Sequence, residues 1–287
     1  MHRLVCAWHA LPLWLDAHAW RRVSSVELRP LDALVWRWYS ESVNALLPVA
    51  QVGGDVLRAR AWSRTGVALS TSAVIVSLDV VAAAVAQLPF TLLGVAALAE
   101  VDELSLLVVC VGLLLLGLVG PRSFVCWRDV APAAAQRLQA CFATRAWMQP
   151  LREQSLNLSH KARAAWRQSS LGQWRESVIW HWLGWCAGVG EIWLGLQLLG
   201  VPVSLAEALV LESMLQAARS LAFFVPSALG VQEAAIVVAG LALGIDLHSL
   251  LSMALLKRAR ELCLGAPGIV LWFVAEWRYQ RANPRSC

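Results

Sequence analysis

Residues 66–98 run for thirty-three positions with one charged side chain, Asp79. A helix rises about 1.5 Å per residue and the hydrocarbon core of a bilayer is about 30 Å thick, so this run exceeds one perpendicular crossing. Hydrocarbon offers no water to satisfy backbone N–H and C=O groups, which leaves α-helices and closed barrels as spanning structures. The apolar character is continuous rather than alternating, and that argues against barrel strands. Tilt, or a kink at Gln87-Leu88-Pro89, would absorb the excess length.

Composition extends this reading to the whole chain. Of 287 residues 59% are hydrophobic and 15% charged, too little charge to coat a soluble domain. The class is all-α, a polytopic membrane protein forming a single membrane domain over residues 1–287. Sixteen Trp against two Tyr suit rings that anchor helix ends at the bilayer surface. Seven Cys without a C-x-x-C pair point to neither a disulfide framework nor a zinc site, and read as packing residues. The net charge of +5 lies largely in loops and is no nucleic-acid signal. The first apolar run lacks a basic lead and is followed by Arg21-Arg22, unlike a cleavable signal peptide.

Within this frame two stretches read as versions of each other. One is Leu46-Leu47-Pro48-Val49-Ala50-Gln51-Val52-Gly53-Gly54-Asp55; the other is Phe223-Phe224-Val225-Pro226-Ser227-Ala228-Leu229-Gly230-Val231-Gln232-Glu233. Each passes from an apolar approach through a proline and glycine to an acid seven places after the proline. Proline interrupts a helix and glycine permits a sharp turn, so each stretch predicts a break with a new half-helix starting near its acid. Matching breaks in two halves of a membrane chain mark the substrate site of a transporter built from repeats.

Charge sets the expected orientation. Residues 4–20 form a first span, and Arg21-Arg22 place its end in the cytoplasm. Residues 32–54, with Arg37 and Glu41 before the break and Arg58, Arg60 and Arg64 after it, read as a re-entrant hairpin from the cytoplasmic side. Glu100, Asp102 and Glu103 form an outer loop, and residues 104–120 return inward. Residues 122–175 carry nine basic residues against two acids, which makes this a cytoplasmic loop suited to an anionic leaflet. Residues 177–199 lead out again, 205–244 form a second hairpin from outside, and 249–276 end inside with a kink at Pro267-Gly268. About five spans and two opposed hairpins make an inverted repeat with a cytoplasmic C-terminus. Parity then puts the N-terminus outside, as though an upstream helix were missing.

Charged groups within a bilayer cost several kcal/mol unless paired or hydrated, so they are the candidate site. Asp55, Arg58 and Arg60 flank the first break; Arg219, Gln232 and Glu233 flank the second; Lys257, Arg258 and Glu261, with Arg260, lie on the last helix. Helical spacing pairs Lys257 with Glu261 and turns Arg258 elsewhere. Asp55 and Arg58 are expected to face Arg219 and Glu233 across a hydrated cavity whose arginines and half-helix N-termini attract an anionic head group. Pro48, Gly53, Gly54, Pro226 and Gly230 form the breaks themselves. Surface or helix-terminal positions account for Glu191 and Glu207, while for Asp79 and Glu212 a structural part is at least as good a reading as a functional one; interfacial packing accounts for His9 and His18. No G-x-S-x-G, P-loop or helical His pair at metal spacing occurs, so transport is favoured over catalysis, with no cofactor and no metal.

These residues resemble a known family. The blocks LLPVAQVGGDVLRAR at 46–60, residues 76–94 with Asp79 and Gln87, and LLGVPVSLAEALVL at 198–211 carry the resemblance, together with 212–261, which contains ARSLAFFVPSALGVQEA and LLKRARE. They are similar to the flippase-like membrane region of lysylphosphatidylglycerol synthases, and more closely to its members associated with hopanoid biosynthesis. The resemblance implies translocation of a hopanoid, polyprenyl or phospholipid across or out of the bacterial inner membrane. Its rivals are a scaffold that recruits lipid-biosynthesis enzymes and an enzyme acting on lipid head groups. Relatives carry one more helix before the segment matching 4–23, and a glycine-richer turn than Ser227-Ala228-Leu229-Gly230, whose replacement should stiffen this break.

Overall fold

The computed structural model describes residues 2–49, 51–98, 170–222 and 225–282, and every regular element among them is helical. In chain order these are α1 (His2–Val23), α2 (Pro30–Leu46), α3 (Gly53–Ser63), α4 (Leu69–Leu98), α5 (Leu171–Leu198), α6 (Leu205–Leu221), α7 (Val231–Ala242) and α8 (Leu247–Ala282). A 3-10 turn, Pro226–Ala228, precedes α7. The expected acidic loop, the span at 104–120 and residues 122–169 of the basic loop lie outside the described residues.

Local chemistry sets the helix ends. Pro30 opens α2, where its missing N–H costs nothing. Ser170 and Ser204 cap α5 and α6, each in a reciprocal capping box with Gln173 or Glu207, so Glu207 serves a helix start as its position suggested. Both second arms begin where the paired pattern places them, with Asp55 in the first turn of α3 and Glu233 in the first turn of α7. There a carboxylate meets the positive end of the helix dipole. The first hairpin nevertheless runs to Ser63 rather than ending at 54, because Gly53 and Gly54 open its second arm instead of closing its first. Pro89 and Pro267 sit inside helices that continue through them, α4 with 30 residues and α8 with 36.

Packing follows an exchange pattern. The helices α2 and α3 pack together, as do α6 and α7; α4 packs on α6 as α8 packs on α2; α3 meets α4 as α7 meets α8. Small or hydroxyl side chains allow the two long crossings: Gly94 of α4 lies against Ser213 of α6, and Gly268 of α8 lies against Ser42 of α2. The centre is the α1–α5 pair, where Arg22 meets Glu176, His18 meets Trp180 and His9 meets Glu191. Rising numbers on one helix meet falling numbers on the other, so the two run antiparallel.

Two apolar cores result. One gathers Trp20, Trp62, Ile75 and Leu78 with Trp174, and the other gathers Ile192, Leu196, Leu211, Leu215, Ile236, Leu250 and Met253 with Val5. Trp20, Trp62 and Trp174 are therefore core residues rather than surface anchors. Large apolar side chains also lie outside: α4 exposes Val80, Leu88 and Val95, α7 exposes Val238, and α8 exposes Leu255, Leu262, Val270 and Phe273. Exposed apolar surface on this scale marks contact with lipid or protein. Among the described residues α4 alone is both long and apolar enough to cross a bilayer by composition. The other long helices, α1, α5 and α8, carry inward charges such as Glu191, Lys257 and Arg260 along their length and exposed ones, Arg22, Arg175, Glu176, Arg278 and Arg281, near their ends.

Candidate functional site

Between the cores lies an ionised interior in two linked clusters. In the first, the fully buried Arg58 donates to Asp79 Oδ2 and to Asp55 Oδ1, both at 2.7 Å, with its guanidinium 4.8 Å from the Trp20 ring centroid. Asp79, equally buried, also lies 3.4 Å from Arg37 and 2.8 Å from His181 Nε2. Asp16 joins the same group, 2.8 Å from both Arg37 and His181 Nδ1. Five elements, α1 to α5, thus converge on a knot of opposite charges. Such pairing is what makes ionised groups tolerable away from water.

The second cluster centres on α8. Lys257 Nζ lies 2.7 Å from Glu212 and 3.8 Å from Glu191. Arg260 lies 3.3 Å from Glu191 and also contacts the His9 ring, whose nitrogens sit 3.1 Å from Glu191 and 3.3 Å from Glu41. Glu261 accepts from Arg258 at 2.7 Å and from Gln232 at 3.2 Å, and stands 3.9 Å from Arg219. Arg37 and Glu41, 3.5 Å apart, join the two clusters.

A cavity of about 410 Å³ opens between them, lined by α1, α2, α5, α6, α8 and Gln51 of the first break. Asp16, Arg37, Glu41, Glu191, Arg219 and Lys257 contribute its charge. Each break also leans on the helix that precedes the other: Gln51 approaches the Arg219 carbonyl at 3.5 Å, and the 3-10 turn packs on α2.

Of the residues singled out by sequence, Arg219, Lys257 and Glu261 line the cavity. Asp55, Arg58, Gln232, Glu233 and Arg258 are not among its lining residues: Asp55 and Arg58 tie α3 to Asp79 of α4, while Gln232, Glu233 and Arg258 tie α7 to α8. The expected facing of Asp55 and Arg58 with Arg219 and Glu233 does not occur: Asp55 pairs with Arg58, Glu233 with Arg258, and Arg219 approaches Glu261. Nor does Lys257 pair with Glu261. Its ammonium is drawn to Glu212 on the facing helix, and Glu261 takes Arg258 three residues back. Spacing along one helix permits a pair, but a closer buried partner on another helix decides it.

The breaks use their residues in different ways. Pro48 and Gly230 are exposed at the turns. Gly53 lies against Val49, and a Cβ on Gly54 would come within 2.2 Å of the Ser40 carbonyl oxygen. Gly54 N–H donates to Asn44 Oδ1 at 2.8 Å, which gives one otherwise unpaired helix-start donor a partner. Pro226 opens the 3-10 turn, and Arg258 reaches in from α8 to donate to the carbonyls of Ser227 and Ala228, each at 3.2 Å.

Eight participants are not legible as site residues from the sequence: Asp16, Arg37, Glu41, His181, His9, Asp79, Glu191 and Glu212. Glu191 is buried rather than superficial, and His9 belongs to the charged network rather than to an interface. Asp79 and Glu212, whose part the sequence leaves open between structure and function, each hold a buried cation, Arg58 and Lys257. The available signal was the cost of any ionisable group in an apolar helix, whatever its distance from a break. Among the described residues no group of three or more His, Cys, Asp or Glu has metal-binding geometry.

Residues 4–268 match the model of the family described as the lysylphosphatidylglycerol synthase TM region. No curated protein matches the chain, and no solved structure does.

Proposed function

The chain belongs to the lysylphosphatidylglycerol synthase TM-region family, and from that premise we propose that it moves an amphipathic lipid across or out of the bilayer. One observation carries this reading: a charged cavity lies within helices that expose large apolar side chains on α1, α4, α7 and α8. A lipid presents the same division, with a polar head that needs the cavity and chains that need hydrocarbon. The cavity lets a head group leave water without entering the membrane core bare, which is the step that opposes spontaneous crossing.

The topology that suits this task has about five spans and two re-entrant hairpins in an inverted repeat. The exchange pattern of helix contacts supports it, since α1 to α4 map onto α5 to α8. So does the antiparallel run of α1 and α5, the pair that the exchange makes equivalent. Inverted repeats of this kind place their site where the repeats meet, beside broken helices. The protein then sits in the inner membrane with its C-terminus cytoplasmic and its basic loop toward the anionic leaflet.

The lining favours a lipid with a charged head, such as a phospholipid or polyprenyl phosphate, over an uncharged hopanoid core. Lys257 and Arg260 are closely paired, whereas Arg219 borders the cavity with its nearest carboxylate at 3.9 Å and part of its side chain exposed. Arg219 is the cation best placed to receive an anionic head group. The test is purified protein in vesicles carrying fluorescently labelled phosphatidylglycerol, with outer-leaflet dye quenched by dithionite. The expected result is protein-dependent loss of the protected fraction, slowed by Arg219→Gln. Protein-free and protein-containing vesicles behaving alike, across labelled anionic and zwitterionic lipids, would overturn the reading.

A further inference from the structure

One buried histidine joins the two halves through both of its ring nitrogens. His181, on α5, is 1% exposed, with Nδ1 2.8 Å from Asp16 Oδ1 on α1 and Nε2 2.8 Å from Asp79 Oδ1 on α4. A neutral imidazole has one N–H and one lone pair, so it donates to one carboxylate and turns a lone pair toward the other. Two close contacts to ionised carboxylates require the imidazolium, which donates at both ends. The surrounding charges agree. Asp16, Asp55 and Asp79 are set against Arg37 of α2 and Arg58 of α3, and Glu41 also draws on Arg37, so carboxylates outnumber arginines around a positive His181. His9 also lies between two carboxylates, Glu191 at Nδ1 and Glu41 at Nε2, but there Arg260 crowds the same Nδ1, so its surroundings are of mixed charge.

The two carboxylates are not equivalent. Asp79 is sealed, whereas Asp16 borders the cavity with 19% of its side chain exposed. We propose that His181 is a proton-binding site that couples proton movement to lipid transport, with Asp16 as its connection to the cavity. Carrying its proton, His181 ties α5 to α1 and α4 and holds the halves together. Release passes the Nδ1 proton to the Asp16 carboxylate and on to water, leaving Nε2–H on Asp79 and an ionised Asp16 facing the Nδ1 lone pair, a contact that no longer holds the halves together. The proposal rests on the transport reading above.

The test uses the whole protein, with ring-¹⁵N-labelled histidine in nanodiscs and with vesicles carrying labelled phosphatidylglycerol under imposed pH gradients of either sign. The His181 resonance, identified by its loss in His181→Gln, is expected to show two protonated nitrogens at neutral pH. Wild-type lipid movement is expected to depend on the gradient, and H181Q is expected to lose that dependence. Should H181Q fail to fold, Asp16→Asn keeps the side chain's size, removes the proton's route and is expected to abolish gradient dependence. A His181 ring with one protonated nitrogen overturns the proposal, as does gradient dependence that survives in the variant. Lipid movement in wild type that ignores the gradient overturns the coupling and leaves the transport reading standing. No lipid movement under any gradient removes both, whatever the ring's protonation.

Discussion

The two breaks share a sequence pattern and are held by opposite means. The first is closed from within its own hairpin: Asn44 on α2 accepts from Gly54 N–H, and Asp55 pairs with Arg58 on the same short helix. The second is held from outside, by Arg258 of α8, which donates to two carbonyls of the turn and pairs with Glu233. Strain is also divided unequally. Gln51 alone among the described residues of the first break has a left-handed backbone, at φ 54°, whereas Ser227, Ala228 and Gly230 of the second lie at 53°, 47° and 78°. Left-handed backbone costs an L-residue about 1–2 kcal/mol, so the second turn needs an external clamp that the first does not. A break clamped at its turn by a distant helix can respond to movement of that helix; the first break touches α6 through Gln51, at 3.5 Å, and α4 through Arg58.

The largest way to break this contrast is Arg258→Ala. It leaves Glu233 with its pairing lost and two turn carbonyls without their donor, at an expected cost of about 3–5 kcal/mol. Hydrogen exchange should then rise across 225–233 while 51–58 stays protected; equal exposure of both breaks would refute the division. Next comes Gly54→Ala. Its Cβ has no room beside Ser40, so overpacking should cost about 1–3 kcal/mol, read as a lower unfolding temperature in detergent. Gly230 has open space for a Cβ, so substitution there should be limited by its positive φ instead.

Ala228→Gly sharpens the comparison in the other direction. It relieves left-handed strain in the second turn and should stabilise it by about 1 kcal/mol, partly offset by glycine's greater unfolded-state freedom. Asn44→Ala should cost about 1 kcal/mol and raise exchange at the first break only.

The smallest effect is expected away from both breaks, where Glu276 near the end of α8 meets Arg64 just beyond α3. The pair lies near helix ends, so Glu276→Gln should remove no more than about 1 kcal/mol, as denaturation midpoints in detergent would show.

Much of the scaffold was legible because it follows local rules. Proline and glycine mark breaks by their own backbone limits, Ser170 and Ser204 cap helices within three residues, and Asp55 and Glu233 stand in first turns where a dipole favours them. The site was legible only in part. Arg219, Lys257 and Glu261 were singled out and line the cavity, but His181 drew no attention, because nothing near it in the chain reveals its partners at Asp16 and Asp79. Glu191 read as a surface acid because its partners, His9 on α1 and Lys257 and Arg260 on α8, are remote in sequence.

By itself, then, the amino-acid order determined a membrane class, the positions of two interrupted helices and the stock of ionisable groups placed among apolar residues. Tertiary structure alone decided which charge meets which, that Arg258 clamps a turn thirty residues back, and that His181 bridges two carboxylates. The physical reason is range. Backbone geometry and capping act within a few residues, whereas a buried charge takes the nearest opposite partner in space, wherever the fold has brought it.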